Sequence, residues 1–262
     1  MWDALLRQVF QGERVCVFVA LKAIIINVNR SPSFSLRYGL DAPYVVACIL
    51  AVGTLLLGVA AYFWVSAPAY FNPWELLWPL SFLLVGGWML LYSGCIKLRH
   101  RYTLLRLADV RAGDKVLDVG TGLGLLAVAA AMLGADVVAL DMWSVWDLSG
   151  NGRAGLERNA REEGVQLRVV EGDARSLPFP DSTFDAVVSN FVVHNIRGRE
   201  DRKRAVAEMW RALRPGGILL ISDIHHVGEY AQQLRPYAES LCIWRYFHTF
   251  PFSQVLVARK PQ

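Results

Sequence analysis

"VLDVGTGLG", residues 116–124, is an apolar run that opens into three glycines. Glycines in that density let a backbone come close to a neighbour that a side chain would exclude. A dinucleotide-binding turn needs the spacing G-x-G-x-x-G. Here the glycines stand at 120, 122 and 124, and Leu125 occupies the place of the third. Asp118 lies just before the first glycine, where a carboxylate repels a pyrophosphate and attracts an ammonium group. The ligand expected at this loop therefore carries positive charge. S-adenosylmethionine, with its amino group and sulfonium, meets that requirement.

Outward from this loop the chain alternates between strand-like and helix-like stretches. "KVLDVG", "DVVALD", "LRVVEGD", "FDAVVSN", "ILLISD" and "FSQVLVARK" read as strands. "LGLLAVAAAMLG", closed by Gly134, and "RAGLERNAREEG", closed by Gly164, read as helices. "RKRAVAEMWRALRPGG" reads as a helix ending in a Pro-Gly-Gly turn. Buried strands alternating with helices predict βαβ units around a mostly parallel sheet. Ligands in such sheets bind beyond the carboxyl ends of the strands.

The unusual residues fall at those ends, and together they resemble the class I S-adenosylmethionine-dependent methyltransferases. "VLDVGTGLG" is similar to that family's first motif. Asp141 ends the second strand, where the family holds both ribose hydroxyls with one carboxylate. "GDARSLPFPDSTFD" (172–185) is similar to its third motif, whose Asp accepts from the adenine amine. "LRPGG" (213–217) resembles the turn before the fifth strand in members that methylate quinones and small molecules. The match runs from about residue 101 to 259. It implies a Rossmann-like α/β domain with a seven-stranded sheet and S-adenosylmethionine as cofactor. The cofactor-binding set is then Asp118, Gly120, Gly122, Gly124, Asp141, Met142, Asp173, Ala174 and Asn190. Chemistry supports each assignment. The glycines clear space for the methionine part, and Asp118 pairs with its ammonium directly or through water. Asp141 offers two oxygens to a vicinal diol. Met142 packs on the adenine face. Asp173 accepts from the adenine amine, and the Ala174 N–H donates to a ring nitrogen.

The sequence before residue 97 has a different texture. Hydrophobic residues make up 54% of the whole chain, above the usual soluble composition. The excess concentrates in Tyr44–Val65 and Leu76–Ile96, which hold no charged residue. At about 1.5 Å per residue each helix would span roughly the 30 Å of a bilayer core. Gly53, Gly58, Gly86 and Gly87 would let two such helices pack closely. The connection "SAPAYFNPWE" (66–75) has no Lys or Arg, and Trp64, Tyr70, Phe71, Trp74 and Trp78 crowd its borders. Arg7, Arg14, Lys22, Arg30 and Arg37 precede the first run; Lys97, Arg99, Arg101 and Arg106 follow the second. The positive-inside rule makes this a transmembrane hairpin with both ends in the cytoplasm. The expected organisation is an N-terminal cytoplasmic or interfacial segment (1–43), a two-span hairpin (44–96, spans 44–65 and 76–96) and a cytoplasmic catalytic domain (97–262). "YGLDAP" (38–43) and the Trp-rich "DMWSVWDLSGN" (141–151) resemble stretches of bacterial methyltransferases that carry such a hairpin. Trp143 and Trp146 suit an adenine cover or the bilayer interface, and Asp147 and Ser149 suit caps for the next helix.

The four cysteines are scattered with no C-x-x-C pair, so neither a metal site nor a disulfide framework is expected. The net charge of +4 is modest, and its basic clusters flank the apolar runs. They point to anionic membrane lipids rather than nucleic acid. The reaction expected is methyl transfer to a small, lipophilic acceptor such as a quinone, an isoprenoid or a lipid. A base is needed only where the acceptor loses a proton. Asn190 and His194 are the candidates, with Asp223, His225, His226 and His248 near other strand ends. Two alternatives remain: a protein methyltransferase acting on a membrane partner, and a non-catalytic cofactor-binding membrane module.

Overall fold

The structure, a computed structural model, describes residues 34–143 and 152–262. The N-terminal segment up to residue 33, and Trp146, Asp147 and Ser149, lie outside the described residues. The chain divides into two compact units that meet in sequence between Lys97 and Leu98.

In the first unit, helix α1 (Pro43–Ser66) opens on a proline at its first turn, where the missing N–H costs nothing. Short 3₁₀ turns at Pro68–Tyr70 and Pro73–Leu76 reverse the chain into α2 (Leu77–Leu91). Pro43–Ser66 and the helical stretch Pro73–Leu107, of which α2 is part, are each long and apolar enough to cross a membrane. Two of the four glycines carry the packing. A Cβ on Gly86 would lie 2.5 Å from Leu50, and one on Gly53 would lie 3.0 Å from Leu83. Gly58 and Gly87 face open space. Much of the remaining surface is exposed and apolar, including Leu55, Tyr62, Trp64, Trp78 and Leu84.

A π-helical turn (Tyr92–Ile96) joins α2 to α3 (Lys97–Leu107). Here the "YGLDAP" stretch finds its physical reason. The nearly buried Lys97 Nζ donates to Tyr38 O (3.1 Å), Gly39 O (2.6 Å) and Asp41 Oδ2 (2.9 Å), and Ser93 Oγ donates to the same Asp41 oxygen (2.8 Å). A buried ammonium needs all its protons taken, and this segment supplies the three acceptors.

In the second unit α3 buries Leu104 and Leu105, so these leucines face the domain. The strands are β1 (Lys115–Val119), β2 (Asp136–Asp141), β3 (Arg168–Glu171), β4 (Phe184–Asn190), β5 (Leu213–Asp223), β6 (Ser240–Tyr246) and β7 (Ser253–Arg259). They form one seven-stranded mixed sheet in the order β3-β2-β1-β4-β5-β7-β6. β1 to β5 pair in parallel, and β7 runs antiparallel to both its neighbours. The connecting helices are α4 (Leu125–Met132), α5 (Arg153–Glu162), α6 (Arg199–Ala212) and α7 (Val227–Leu234). β1 buries Val116, Leu117 and Val119 completely, as a strand covered on both faces must. The Ala-rich α4 has no bulk to hold it away from the sheet. Gly134 and Gly164 follow α4 and α5 with φ of 88° and 71°, the left-handed stop read from the sequence.

Two readings are corrected. "LRPGG" is not a turn before β5 but its irregular first segment. Leu213 already pairs with Phe184, the register then shifts, and Gly217 has Asp185 O 2.8 Å from where its Cβ would be. The strand-by-strand reading also passed over α7 and β6. "SLCIWRY" interrupts its apolar residues with an arginine and has a half-buried pattern, as an edge strand does.

The glycine contacts give a test of the helix pairing. Gly86→Val should destabilise the α1–α2 pair by about 1–3 kcal/mol through overpacking, while Gly87→Val, pointing into open space, should be close to neutral. Thermal unfolding in one detergent compares them; equal melting temperatures would contradict this packing.

Candidate functional site

The sheet order places the topological switch between β1 and β4, since the chain moves to β2 and β3 on one side of β1 and to β4 on the other. That is where open α/β sheets bind ligands. The glycine loop leaves β1 there, and it is tied down from several sides. Gly120 N and Thr121 N both donate to Leu140 O at the end of β2 (2.8 and 3.1 Å). Gly122 N donates to Asp141 Oδ2 (2.7 Å), and the Asn159 amide of α5 donates to Leu123 O (2.9 Å). From below, Asp118 Oδ2 accepts from Thr121 Oγ1 (2.8 Å) and from Ala127 N in the first turn of α4 (3.0 Å).

Asp118 is thus drawn inward, only 2% exposed, and the loop itself engages one of its oxygens. Burial raises its pKa to about 7 against the pull of the Thr121 and Ala127 hydrogen bonds, with the Asp141 charge adding to the rise. The glycines also divide their work. All three have positive φ: 74° at Gly120, 53° at Gly122 and 86° at Gly124. The spaces left by the missing Cβ atoms of Gly120 and Gly124 are filled by protein. Val192 stands 2.3 Å from one and Leu156 2.3 Å from the other. The missing Cβ atoms of Gly120 and Gly124 thus leave room for the β4 loop and for α5. Gly122 instead presents its N–H to Asp141.

Asp141 stands at the carboxyl end of β2, half-buried, with its second oxygen accepting from Trp143 N (2.8 Å). Met142 beside it is 54% exposed, an apolar side chain free to meet a flat ring. In the 172–185 stretch, Ala174 is buried. Asp173 turns both oxygens to the Arg175 guanidinium (2.6–3.0 Å), which also reaches Asp201. Those hydrogen bonds hold the Asp173 carboxyl below its ordinary range. Arg211 fixes the same loop by donating to Phe179 O and Leu177 O, while Glu208 accepts from Leu177 N.

On the other side of the switch, Asn190 ends β4, half-buried. The next residue, Phe191, takes φ of 57°, a left-handed turn that a non-glycine residue adopts only when its surroundings enforce it. Its N–H donates to Ser222 O (2.8 Å). The turn lays Val192 over Gly120 and sends His194 to the end of β5. There His194 Nδ1 makes a short contact with Asp223 Oδ1, and its backbone N donates to Asp223 Oδ2 (3.0 Å). Asp223 is fully buried and also accepts from Ile224 N (2.9 Å). The carboxylate favours the tautomer with the proton on Nδ1 and leaves the Nε2 lone pair directed away from it. His225 and His226 stay outside this pair; His226 faces Glu229 at 3.2 Å. His248 lies apart, packed edge-on against His100 and Tyr246. Among the described residues no group of three or more His, Cys, Asp or Glu side chains is placed to hold a metal ion. Sequence reasoning missed Asn159 and Thr121: Thr121 could be suspected from its place inside the glycine loop, whereas Asn159 is 36 residues from Leu123 and looks like an ordinary helix-surface residue.

Residues 117–221 match the family model described as a methyltransferase domain. The demethylmenaquinone methyltransferase of Renibacterium salmoninarum is 35% identical over 49% of this chain and 48% of its own length. The ubiquinone/menaquinone biosynthesis C-methyltransferase UbiE of Pseudomonas fluorescens is 36% identical over 51% of this chain and 50% of its own. The chain spans about half the length of the curated relatives it matches. Among solved structures, the 1,6-didemethyltoxoflavin-N1-methyltransferase of Burkholderia thailandensis, with S-adenosylhomocysteine bound, has a TM-score of 0.51. It is 20% identical and covers 63% of this chain and 79% of that one, a likeness of fold alone. Residues 117–221 thus resemble a methyltransferase domain, and the second unit has the Rossmann-like fold of the solved structure.

The raised pKa of Asp118 has a definite sign. Unfolded, the group titrates near 3.8; folded, near 7. Its contribution to stability is fully present below the unfolded value and is lost as pH rises through the folded one. Asp118→Asn keeps an acceptor for Thr121 and Ala127 and should flatten the fall in melting temperature between about pH 4 and pH 7. An unchanged pH slope would remove Asp118 as its source.

Proposed function

We propose that this chain is a membrane-anchored S-adenosylmethionine-dependent methyltransferase acting on a lipophilic, quinone-type ring at the cytoplasmic membrane face. The observation that carries it is the pairing of two features on one edge of the sheet. One is the Asp141-pinned glycine loop beyond β1 and β2; the other is the His194–Asp223 pair beyond β4 and β5.

The residues present fit the cofactor. Each Asp141 oxygen accepts one backbone N–H and keeps further acceptor capacity, enough for a ribose diol. Met142 offers its exposed thioether to the adenine face, and the Ala174 N–H remains the candidate donor to a ring nitrogen. For Asp173 to take the adenine amine, it must share its oxygens with Arg175. Asp118 then acts on the cofactor's ammonium through the loop it holds. When bound, S-adenosylmethionine supplies an electrophilic methyl group on a sulfonium.

The protein's remaining task is the proton. An aromatic carbon that gains a methyl group must lose its hydrogen, and a phenol must lose its own to become a good nucleophile. His194 Nε2 accepts that proton, and Asp223 stabilises the imidazolium and holds the ring in place. Asn190, at the end of β4, orients the acceptor. The likeness to a demethylmenaquinone methyltransferase and to a ubiquinone/menaquinone biosynthesis C-methyltransferase supports this acceptor class. The anchor is the α1–α2 hairpin with its exposed apolar surface.

The test is transfer of labelled methyl from S-adenosylmethionine into a total membrane lipid extract. The full chain should label a lipid-soluble product. His194→Ala should lower kcat by about 10²–10⁴-fold while leaving S-adenosylhomocysteine affinity unchanged. Label in protein instead would favour the protein-methyltransferase reading, and cofactor binding without turnover would favour a non-catalytic module.

The topology follows from charge asymmetry. A cysteine at Asn72 should react with an impermeant thiol reagent in intact cells, and one at Gln262 should not. The reverse pattern would put the site on the side lacking cofactor.

A further inference from the structure

The loop between β6 and β7 plays no part in the site described above, yet its surface is unusual. Phe247 and Phe252 are 56% and 63% exposed and stand edge to face with ring centroids 5.8 Å apart. Paired exposed aromatics in water call for a partner. The loop that presents them is braced. Thr249 is fully buried; its hydroxyl donates to Tyr246 O (3.1 Å), pairs with Ser253 Oγ (3.1 Å) and accepts from Ser253 N (3.0 Å).

Three observations identify the partner. First, Tyr246 and His248 at the base of this loop pack against the ring of His100, at 4.7 and 5.1 Å. His100 lies in α3, three residues past Lys97 in the sequence. The loop is therefore fixed to the stretch of chain that directly continues the second apolar helix. Second, the chemistry from Arg245 to Phe252, "RYFHTFPF", suits a headgroup region. It has an exposed arginine and no acid, and burial lowers the His248 pKa. Aromatic rings settle at the membrane interface, and a basic flank favours anionic headgroups. Third, Asp223 pairs with Gln254, so the loop emerges on the same edge of the sheet as the His194–Asp223 pair.

We propose that Phe247 and Phe252 dock the β6–β7 loop into the interfacial layer of the bilayer, holding the edge of the sheet that carries His194 and Asp223 against the lipid. This rests on reading residues 44–96 as a bilayer hairpin, and the experiment separates the two. Docking places the proton acceptor beside the layer from which a lipophilic ring would come.

The full chain, with its native cysteines replaced by serine, is labelled with an environment-sensitive fluorophore at Phe252→Cys. It is then reconstituted in vesicles of phosphatidylcholine and phosphatidylglycerol, with and without brominated acyl chains. Tyr237→Cys is the control. Tyr237 is an exposed aromatic residue near the start of β6, at the opposite edge of the sheet. Leu55→Cys, on the exposed face of α1, reports the hairpin. The label at 252 should shift to the blue and lose most of its emission to brominated lipid, the label at 237 should do neither, and the label at 55 should be quenched more deeply than either. A quenched label at 55 with an unquenched one at 252 would overturn the docking and leave the hairpin standing. An unquenched label at 55 would sink the hairpin, and the label at 252 would still decide the loop. A blue shift at 252 without bromine quenching would mean that protein, such as a second copy of this chain, covers the loop, and would overturn the proposal.

Discussion

Two carboxylates hold the loop between β1 and α4 in place. Asp118 ties the loop's threonine and the first turn of α4 from inside, and Asp141 ties Gly122 from the neighbouring strand. Three glycines within five positions of the loop take the left-handed region, which they reach without steric cost but with more freedom to lose than other residues. Here Leu140 O, Asp141, Asn159, Val192 and Leu156 converge on it. A loop fixed before a ligand arrives loses little entropy on binding.

The same economy of polar groups governs the N-terminal unit. Within an apolar hairpin, Lys97 is nearly buried, and its three protons go to Tyr38 O, Gly39 O and Asp41, with Ser93 completing the cluster. The π turn alongside it offers Gly94 O to Ser35 N (2.9 Å), and Phe34 lies where a Gly94 side chain would be. Buried charges are tolerated when every donor is matched, and such a cluster also fixes the entry angle of the helices it joins.

The alternation of strands and helices was legible in the sequence because β1, β2, β4 and β5 are covered on both faces and read as unbroken apolar runs. β6 was not, because an edge strand with Arg245 and a half-buried pattern carries a weak signal. The acid at the end of β2 and the glycine spacing could also be read, since each is a local pattern. What Gly120 and Gly124 accommodate could not. Their neighbours, Val192 and Leu156, are remote in sequence and meet them only through the fold. The His194–Asp223 pair was half visible: both residues lay past strand ends, and only the adjacency of β4 and β5, with the left-handed Phe191 between them, brings the two side chains together.

Everything functional in this account depends on a nucleoside lying against Asp141. The most direct measurement is a crystal structure of the chain with S-adenosylhomocysteine. The account predicts both ribose hydroxyls within about 3 Å of the Asp141 carboxylate, the amino acid part over Gly122, and His194 Nε2 facing the sulfur side of the ligand. A ligand bound elsewhere, or one with its ribose turned away from Asp141, would contradict it.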